Sequence, residues 1–263
     1  MRLLAALTFF TRLPFWRIRE IPADKFKRVV PLWPLMGWLT GGVTVGVLLL
    51  CADLLSMPLT LAWIFAIIVR LLLTGALHED GLADFIDGFG GGTSRERTLA
   101  IMKDSHIGTY GVIGLILYFA LLICFPTFFI DAFAQPKSGI LYEFPLSHLC
   151  CIVFIGDCWG KCCAAQLINF LPYARTEETA KNKTVYERMT LPELLLCFFF
   201  GLMPAFLLLP LRTWWMLAVP LAVTGLLALL MKRKIQGYTG DCCGAAFLLS
   251  ELSFFLTAAL SYF

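Results

Sequence analysis

Residues 109–133 read TYGVIGLILYFALLICFPTFFIDAF, an apolar run of 25 with a single charge, Asp131, near its end. A helix rises about 1.5 Å per residue, so this run is long enough to cross a bilayer core of roughly 30 Å. Directly before it, residues 78–108 read HEDGLADFIDGFGGGTSRERTLAIMKDSHIG, with six carboxylates, three basic residues and two histidines. Outward from this junction, six further apolar runs cover about 32–52, 58–77, 146–170, 191–210, 213–231 and 242–263. The 263 residues are 59% hydrophobic and 15% charged, with a mean hydropathy of +0.81. Soluble domains carry about 25% charged residues. The pattern predicts an all-α, polytopic helical membrane protein with about seven transmembrane helices. Residues 1–263 read as one integral-membrane domain, with 1–31 a basic, partly interfacial N-terminal segment and 78–108 a cytoplasmic acidic, glycine-rich hairpin.

Charge placement supports this count. With the N-terminus cytoplasmic, segments 1–31, 78–108, 171–190 and 232–241 hold 17 of the Lys and Arg residues, and the outer connections hold only Lys137 and Arg212. That is the asymmetry of the positive-inside rule. The net charge of +3 is too small to imply a nucleic-acid partner; the lipid bilayer is the partner the composition implies, and a homo-oligomer is compatible with it. The ten cysteines lie in or beside apolar runs and form no CxxC pair, so they read as small apolar helix residues rather than zinc ligands. MRLLAALTFF is too short for a signal peptide and is followed by Arg12, Arg17 and Arg19, which suits an interfacial helix.

Within the charged stretch, Asp80, Asp84 and Asp87 are spaced i, i+4, i+7. At about 100° per residue they fall within roughly 60° on a helix. Like charges so placed destabilise a helix by a few tenths of a kcal/mol, and a divalent cation would offset this. Oxygen-only ligands suit magnesium, manganese or calcium. Gly88, Gly90, Gly91 and Gly92 then predict a turn with freedom for positive φ. Thr93, three residues before Glu96, has capping-box spacing, so a second helix is predicted from near Ser94. Such a turn feeding a helix N-terminus suits an anion, with Arg95 and Arg97 in the first turn. The second helix closes at Lys103, Asp104, Ser105 and His106, and Asp104 can join the acidic stripe if the two helices fold back. His78 and His106 flank the hairpin. Acids, glycines and arginines together describe a metal–phosphate site, the grouping used in phosphoryl transfer.

Other charges lie in the apolar runs. Arg70 stands about 10 Å from a span end, where snorkelling to the interface is the plain reading. Asp157 and Lys161 are spaced i, i+4 with the acid first; a structural pair and a cavity-lining pair are equally compatible with that. Asp241, in GYTGDCCG, starts the last span, as an N-cap or as a residue reaching the acidic stripe, and Glu251 lies inside that span.

HEDGLADFIDGFGGG followed by MKDSHIGTYG resembles the signature of the cobalamin synthase family, the adenosylcobinamide-GDP ribazoletransferases. LTFFTRLPF (7–15), PLWPLMGWLTGG (31–42), INFLPYAR (168–175) and GYTGDCCGA (237–245) are similar to further family landmarks in order. The resemblance implies a multi-pass enzyme of the bacterial inner membrane with a cytoplasmic catalytic loop. It joins α-ribazole, or its 5′-phosphate, to adenosylcobinamide-GDP and releases GMP, with Mg2+ as cofactor. By the same resemblance Asp80, Asp84 and Asp87 are metal ligands, Gly90, Gly91 and Gly92 match the family's glycine turn, and Lys103 and Asp104 match its MKDS. The mechanism expected from this makes Asp84, Asp87 and Asp104 the candidate catalytic carboxylates, with His78, Arg95, Arg97 and Asp241, read from the chemistry of the residues, joining the glycines and Lys103 as candidates to bind phosphate or substrate. The sequence departs from the family pattern at Glu79, where an apolar residue is usual, and at His106 and Lys161, where arginine is expected. A CDP-alcohol-type lipid phosphotransferase is the nearest alternative, although Leu82, Ala83 and Asp84 do not fit its motif. A cation-dependent membrane transporter is another; it calls for carboxylates at mid-membrane depth, and only Asp157 and Glu251 stand there.

Overall fold

The computed structural model describes residues 1–134, 145–175 and 185–261. Lys137, Lys181 and Lys183, counted in the charge asymmetry, and the last two residues of the seventh run lie outside them. Every regular element among the described residues is a helix, and an isolated bridge joins Tyr173 and Tyr238.

The chain begins with α1 (Arg2–Phe10), whose Ala5, Ala6 and Phe10 are buried. After several short 3-10 turns, α2 (Trp33–Leu49) starts with a proline in its first turn, where no backbone N–H is missed. It is followed by α3 (Leu59–Thr74) and α4 (Leu77–Gly91), which meet at an angle of 88°. The sequence suggested one span over 58–77, but helix α3 stops at Thr74. Gly75 (φ 66°) and Ala76 (φ 54°) are both left-handed, and two such residues in succession break the helix. At 16 residues α3 is about 24 Å long. Next come α5 (Arg95–Lys103), α6 (Thr109–Ala134), α7 (Pro145–Ala165), the single turn α8 (Leu167–Phe170) and α9 (Leu191–Leu208). Thr190 opens α9 with a reciprocal capping box to Glu193. The chain closes with α10 (Ala218–Ile235) and α11 (Gly240–Ser261).

Among the described residues six segments are long and apolar enough to span a membrane, and the bent pair α3–α4 makes up to seven. The protein is a polytopic helical membrane protein, as its apolar runs predict. Burial separates the central helices from the peripheral ones: 89% of the α7 window and 72% of the α11 window is buried, against 28% for α6 and α9. Outer faces carry exposed Ile116, Leu117, Phe199 and Leu226, the side a lipid phase would cover. Helix α2 approaches α7 through Gly37 and Gly41, which lie against Cys158 and Asp157. Small residues at such crossings let helix backbones come close in an apolar medium.

Two ion pairs sit inside this core. Arg70 does not snorkel: it is 6% exposed and donates two hydrogen bonds to Glu251, at 2.8 and 2.7 Å. Lys161 pairs with Asp157, and Thr40 donates to the same carboxylate at 2.9 Å. All of these side chains are buried, so the Asp157–Lys161 pair belongs to the packed interior.

Candidate active site

The site is built where α4 crosses α11. A β-carbon on Gly81 would stand 3.0 Å from the Asp241 carbonyl oxygen, and one on Gly244 would stand 3.2 Å from the His78 carbonyl oxygen. The two glycines thus let the helices touch backbone to backbone. The contact puts Asp80, one residue before Gly81, and Asp241, at the start of α11, on the wall of one cavity of about 150 Å³. Its other walls are aromatic. Phe10 and Trp33 stack with ring centroids 5.4 Å apart and planes 7° apart, and Trp33 stacks on His78 at 5.7 Å and 20°. Tyr186 faces them.

Beneath His78 lies Phe247, edge-on at 4.8 Å. The Phe247 ring also receives the Lys161 ammonium at 4.0 Å from its centroid and the Arg70 guanidinium at 5.6 Å. A ring face attracts cations through its quadrupole. The buried ion pairs therefore form the underside of the aromatic wall, a connection that charge spacing alone does not contain.

The acidic stripe lies on one helix, as its spacing predicts, but its members meet different surroundings. Asp80 is exposed, Asp84 half-buried and Asp87 buried. Asp87 accepts from the backbone N–H of Gly108 at 2.7 Å and of Gly111 at 2.8 Å. It thereby caps the N-terminus of α6, whose first N–H groups lack partners within the helix and which favours a negative charge. Among the described residues no group of three or more His, Cys, Asp or Glu side chains is gathered as a metal ion would require. The donor chemistry still suits Mg2+, which takes one or two carboxylates and completes its shell with water and substrate phosphate. Asp80 and Asp241 line the cavity, whereas both oxygens of Asp87 accept main-chain hydrogen bonds.

The hairpin differs from its sequence reading in three details. The N-cap of α5 is Ser94, accepting from the Arg97 N–H, and not Thr93. Gly88, Gly90, Gly91 and Gly92 do not adopt positive φ; among the described glycines only Gly75 does. They serve close packing instead: a β-carbon on Gly90 would stand 2.7 Å from the Tyr110 ring, and one on Gly92 would stand 2.6 Å from the Gly88 carbonyl oxygen. Finally, Arg95 spends its guanidinium on the carbonyls of Ile235 (2.9 Å) and Ala174 (3.0 Å), tying the hairpin to α10 and to the segment after α8. Arg97 is exposed, and Lys103 lines an open surface groove with Arg95 and Arg175. Asp104 sits at the C-cap of α5 and accepts from the N–H of His106 at 3.0 Å and from its ring at 2.7 Å. These bonds, the main-chain one first, hold the Asp104 carboxyl below its usual range.

Residues absent from the sequence-based set are Phe10, Trp33, Tyr186 and Tyr173. Burial, followed by the charge of Asp241, pushes the Tyr173 phenol up to about 12. Phe10, Trp33 and Tyr173 lie within the quoted segments 7–15, 31–42 and 168–175, which carry no charge pattern that would single them out. Tyr186 lies outside every quoted segment and carried no such signal.

The fold and the cavity define a multi-pass helical membrane protein with an acid-edged, aromatic-walled cavity at a helix crossing. Residues 2–259 match the cobalamin-5-phosphate synthase family, and the chain belongs to that family. It is similar to the adenosylcobinamide-GDP ribazoletransferase of Shewanella baltica (strain OS185), 34% identical over 252 residues, covering 95% of this chain and 90% of that protein. The enzyme of the same name from Shewanella halifaxensis is 35% identical over 265 residues, covering 95% and 92%. That from Shewanella oneidensis is 31% identical over 250 residues, covering 94% and 89%. No solved structure matches this chain.

Proposed function

We propose that this protein transfers the GDP-activated adenosylcobinamide phosphate to α-ribazole, releasing GMP, in the assembly of cobalamin. The observation that carries the reading is the α4–α11 crossing, which sets Asp80 and Asp241 on one cavity in a chain that matches the family end to end. A hydroxyl of the ribazole ribose attacks the phosphorus that bears the cobinamide. The new P–O bond joins the two halves, the anhydride P–O bond to GMP breaks, and GMP leaves with the bridging oxygen. The attacking hydroxyl gives its proton to a carboxylate at the cavity, and Asp241, which lines it from the start of α11, is the acid proposed for that role.

A bound Mg2+ supplies charge neutralisation for the leaving GMP oxygens. Asp80 and Asp84 are the residues proposed to hold it. Asp87 contributes by anchoring α6 to α4 rather than by touching substrate. Asp104, tied to His106 at the surface, is assigned no chemical step. We place the N-terminus and the α4–α5 hairpin on the cytoplasmic side of the bacterial inner membrane. The concentration of Lys and Arg in those segments favours this orientation. In this orientation α3 is proposed to cross, and α4, which leaves it at 88°, to run beside the cytoplasmic interface.

The test is GMP release by purified, detergent-solubilised protein given both substrates, with and without Mg2+, beside Asp80→Asn and Asp84→Ala variants. Metal-dependent GMP release that needs both substrates and is lost in the variants supports the reading. Equal release without α-ribazole would make the protein a hydrolase and overturn it.

A further inference from the structure

Helices α9 and α10 both pack on α7, and between them runs an open hollow of about 510 Å³ floored by Cys163 and Leu167. Leu194 and Phe198 of α9 form one wall, and Leu221, Gly225 and Ala228 of α10 form the other. Past Phe198 a second apolar hollow of about 310 Å³ continues it along Leu202, Phe206 and Trp214. From Leu194 to Phe206 the helix rises about 18 Å, a little more than half of a bilayer core of roughly 30 Å. The groove thus has the length of one lipid chain in one leaflet.

One end of the groove is basic. Arg188 lines it there; this side chain is exposed and has no hydrogen bond or ion pair among the described residues. The carboxylates beside it are taken, because Glu187 pairs with Arg28 at 2.5 Å and Glu193 with Arg2 at 2.9 Å. The backbone on either side of Arg188 is held in place. The Glu187 N–H donates to the Lys27 carbonyl at 3.0 Å, and the Met189 N–H donates to Asn169 Oδ1 at 3.0 Å. On α10, Leu221, Gly225, Ala228 and Lys232 are spaced i, i+4, i+7, i+11, which is one stripe within about 60°. Lys232, exposed in the last turn of α10, continues that wall to the same end as Arg188. Among the described residues that line the groove there is no acid.

We propose that this groove binds one anionic phospholipid, with its phosphate at Arg188 and Lys232 and an acyl chain along Leu194, Phe198 and Gly225. Two cations with no carboxylate between them favour a headgroup of net negative charge over a zwitterionic one, whose own cation would meet them. A second copy of the chain fits less well. A two-fold contact within a membrane sets the same residues at the same depth, so Arg188 and Lys232 would face their own copies. Free phosphate would leave the apolar length of the groove uncovered. The site is separate from the α4–α11 cavity and does not depend on the transfer reaction.

Arg188 and Gly225 test the two parts of the groove. A β-carbon on Gly225 meets nothing within 4 Å, so Gly225→Phe fills the groove without displacing its neighbours. Arg188→Gln removes the charge. The full chain in mild detergent is titrated with phosphatidylglycerol or with phosphatidylcholine of the same acyl chains, and bound lipid is read by native mass spectrometry. Each cation beside an anionic headgroup is worth about fivefold in affinity. Wild type is therefore expected to hold one phosphatidylglycerol about 25-fold more tightly than phosphatidylcholine. Arg188→Gln is expected to hold phosphatidylglycerol about fivefold more weakly, with phosphatidylcholine unchanged. Gly225→Phe is expected to lose the bound lipid, and sn-glycerol 3-phosphate is expected not to displace it from wild type. Equal affinity of wild type for the two lipids, undiminished lipid on Gly225→Phe, or displacement by sn-glycerol 3-phosphate would overturn the proposal. A lipid-free dimer would also overturn it and give the groove to a second copy. Should Gly225→Phe fail to fold, Arg188→Gln decides alone, and phosphatidylglycerol affinity equal to that of wild type would overturn the proposal.

Discussion

Removing the carboxylate of Glu251 is the perturbation with the largest expected effect on this fold. Arg70 and Glu251 join α3 to α11 through two hydrogen bonds at 2.8 and 2.7 Å, with exposures of 6% and 0%. Glu251→Leu leaves a guanidinium buried in an apolar core with its partner gone. Breaking such a pair from one side costs roughly 3–5 kcal/mol. For a chain of this size each kcal/mol corresponds to about 2–4 °C, so the midpoint falls by roughly 6–20 °C. Arg70→Met is expected to fall by a similar amount. The double variant Arg70→Met/Glu251→Leu is expected to recover most of the loss, because well-packed apolar residues often replace a buried pair at no cost or with a gain of about 1–4 kcal/mol. Thermal unfolding in a fixed detergent, followed by tryptophan fluorescence, reads all four proteins. A single variant within about 1 kcal/mol of wild type would refute the reasoning, as would a double variant whose loss equals the sum of the singles.

Three further outcomes follow from the site. Asp87→Asn, which deletes the anion capping α6, is expected to lower stability by about 0.5–2 kcal/mol while GMP release per folded molecule changes less than it does in Asp84→Ala; a reversed order would return Asp87 to the metal site. Gly81→Val pushes α4 from the Asp241 backbone, and a misplacement of about 1 Å at a reacting centre can cost about 100-fold in rate, so kcat is expected to fall far more than the overpacking loss of about 1–3 kcal/mol in stability suggests. Asp104 has its folded pKa below the ordinary value of 3.8, so its contribution is complete above that value and is lost as pH falls through the folded one. The protection of the 104–108 amides, taken as observed exchange against the intrinsic rate at each pH, is expected to fall in that acid window and to stay constant in Asp104→Asn.

Much of this protein can be read from short-range pattern. The apolar runs, the density of Lys and Arg between them, and the 80/84/87 spacing each depend on residues a few positions apart, and the helices of α2, α4, α6 and α7 follow. The motif segments also point to the family that the whole chain matches. What pattern left undetermined is which side chain meets which. Asp80, Asp84 and Asp87 share a stripe, yet the packing of α6 turns Asp87 into a cap while α11 brings Asp241 to Asp80. Arg70 and Glu251 are 181 residues apart, and no local spacing relates them. The glycines of the hairpin suggested a flexible phosphate turn, because a glycine run reads alike whether it supplies positive φ or room for a neighbour. Only the approach of Met102, Tyr110 and Thr98 decides for the second. The aromatic-walled cavity has the same origin. Phe10, Trp33, His78 and Tyr186 come from four separate segments and become one wall only when α1, α2, α4 and the segment before α9 pack together, because the apolar faces that bury them have no other partner.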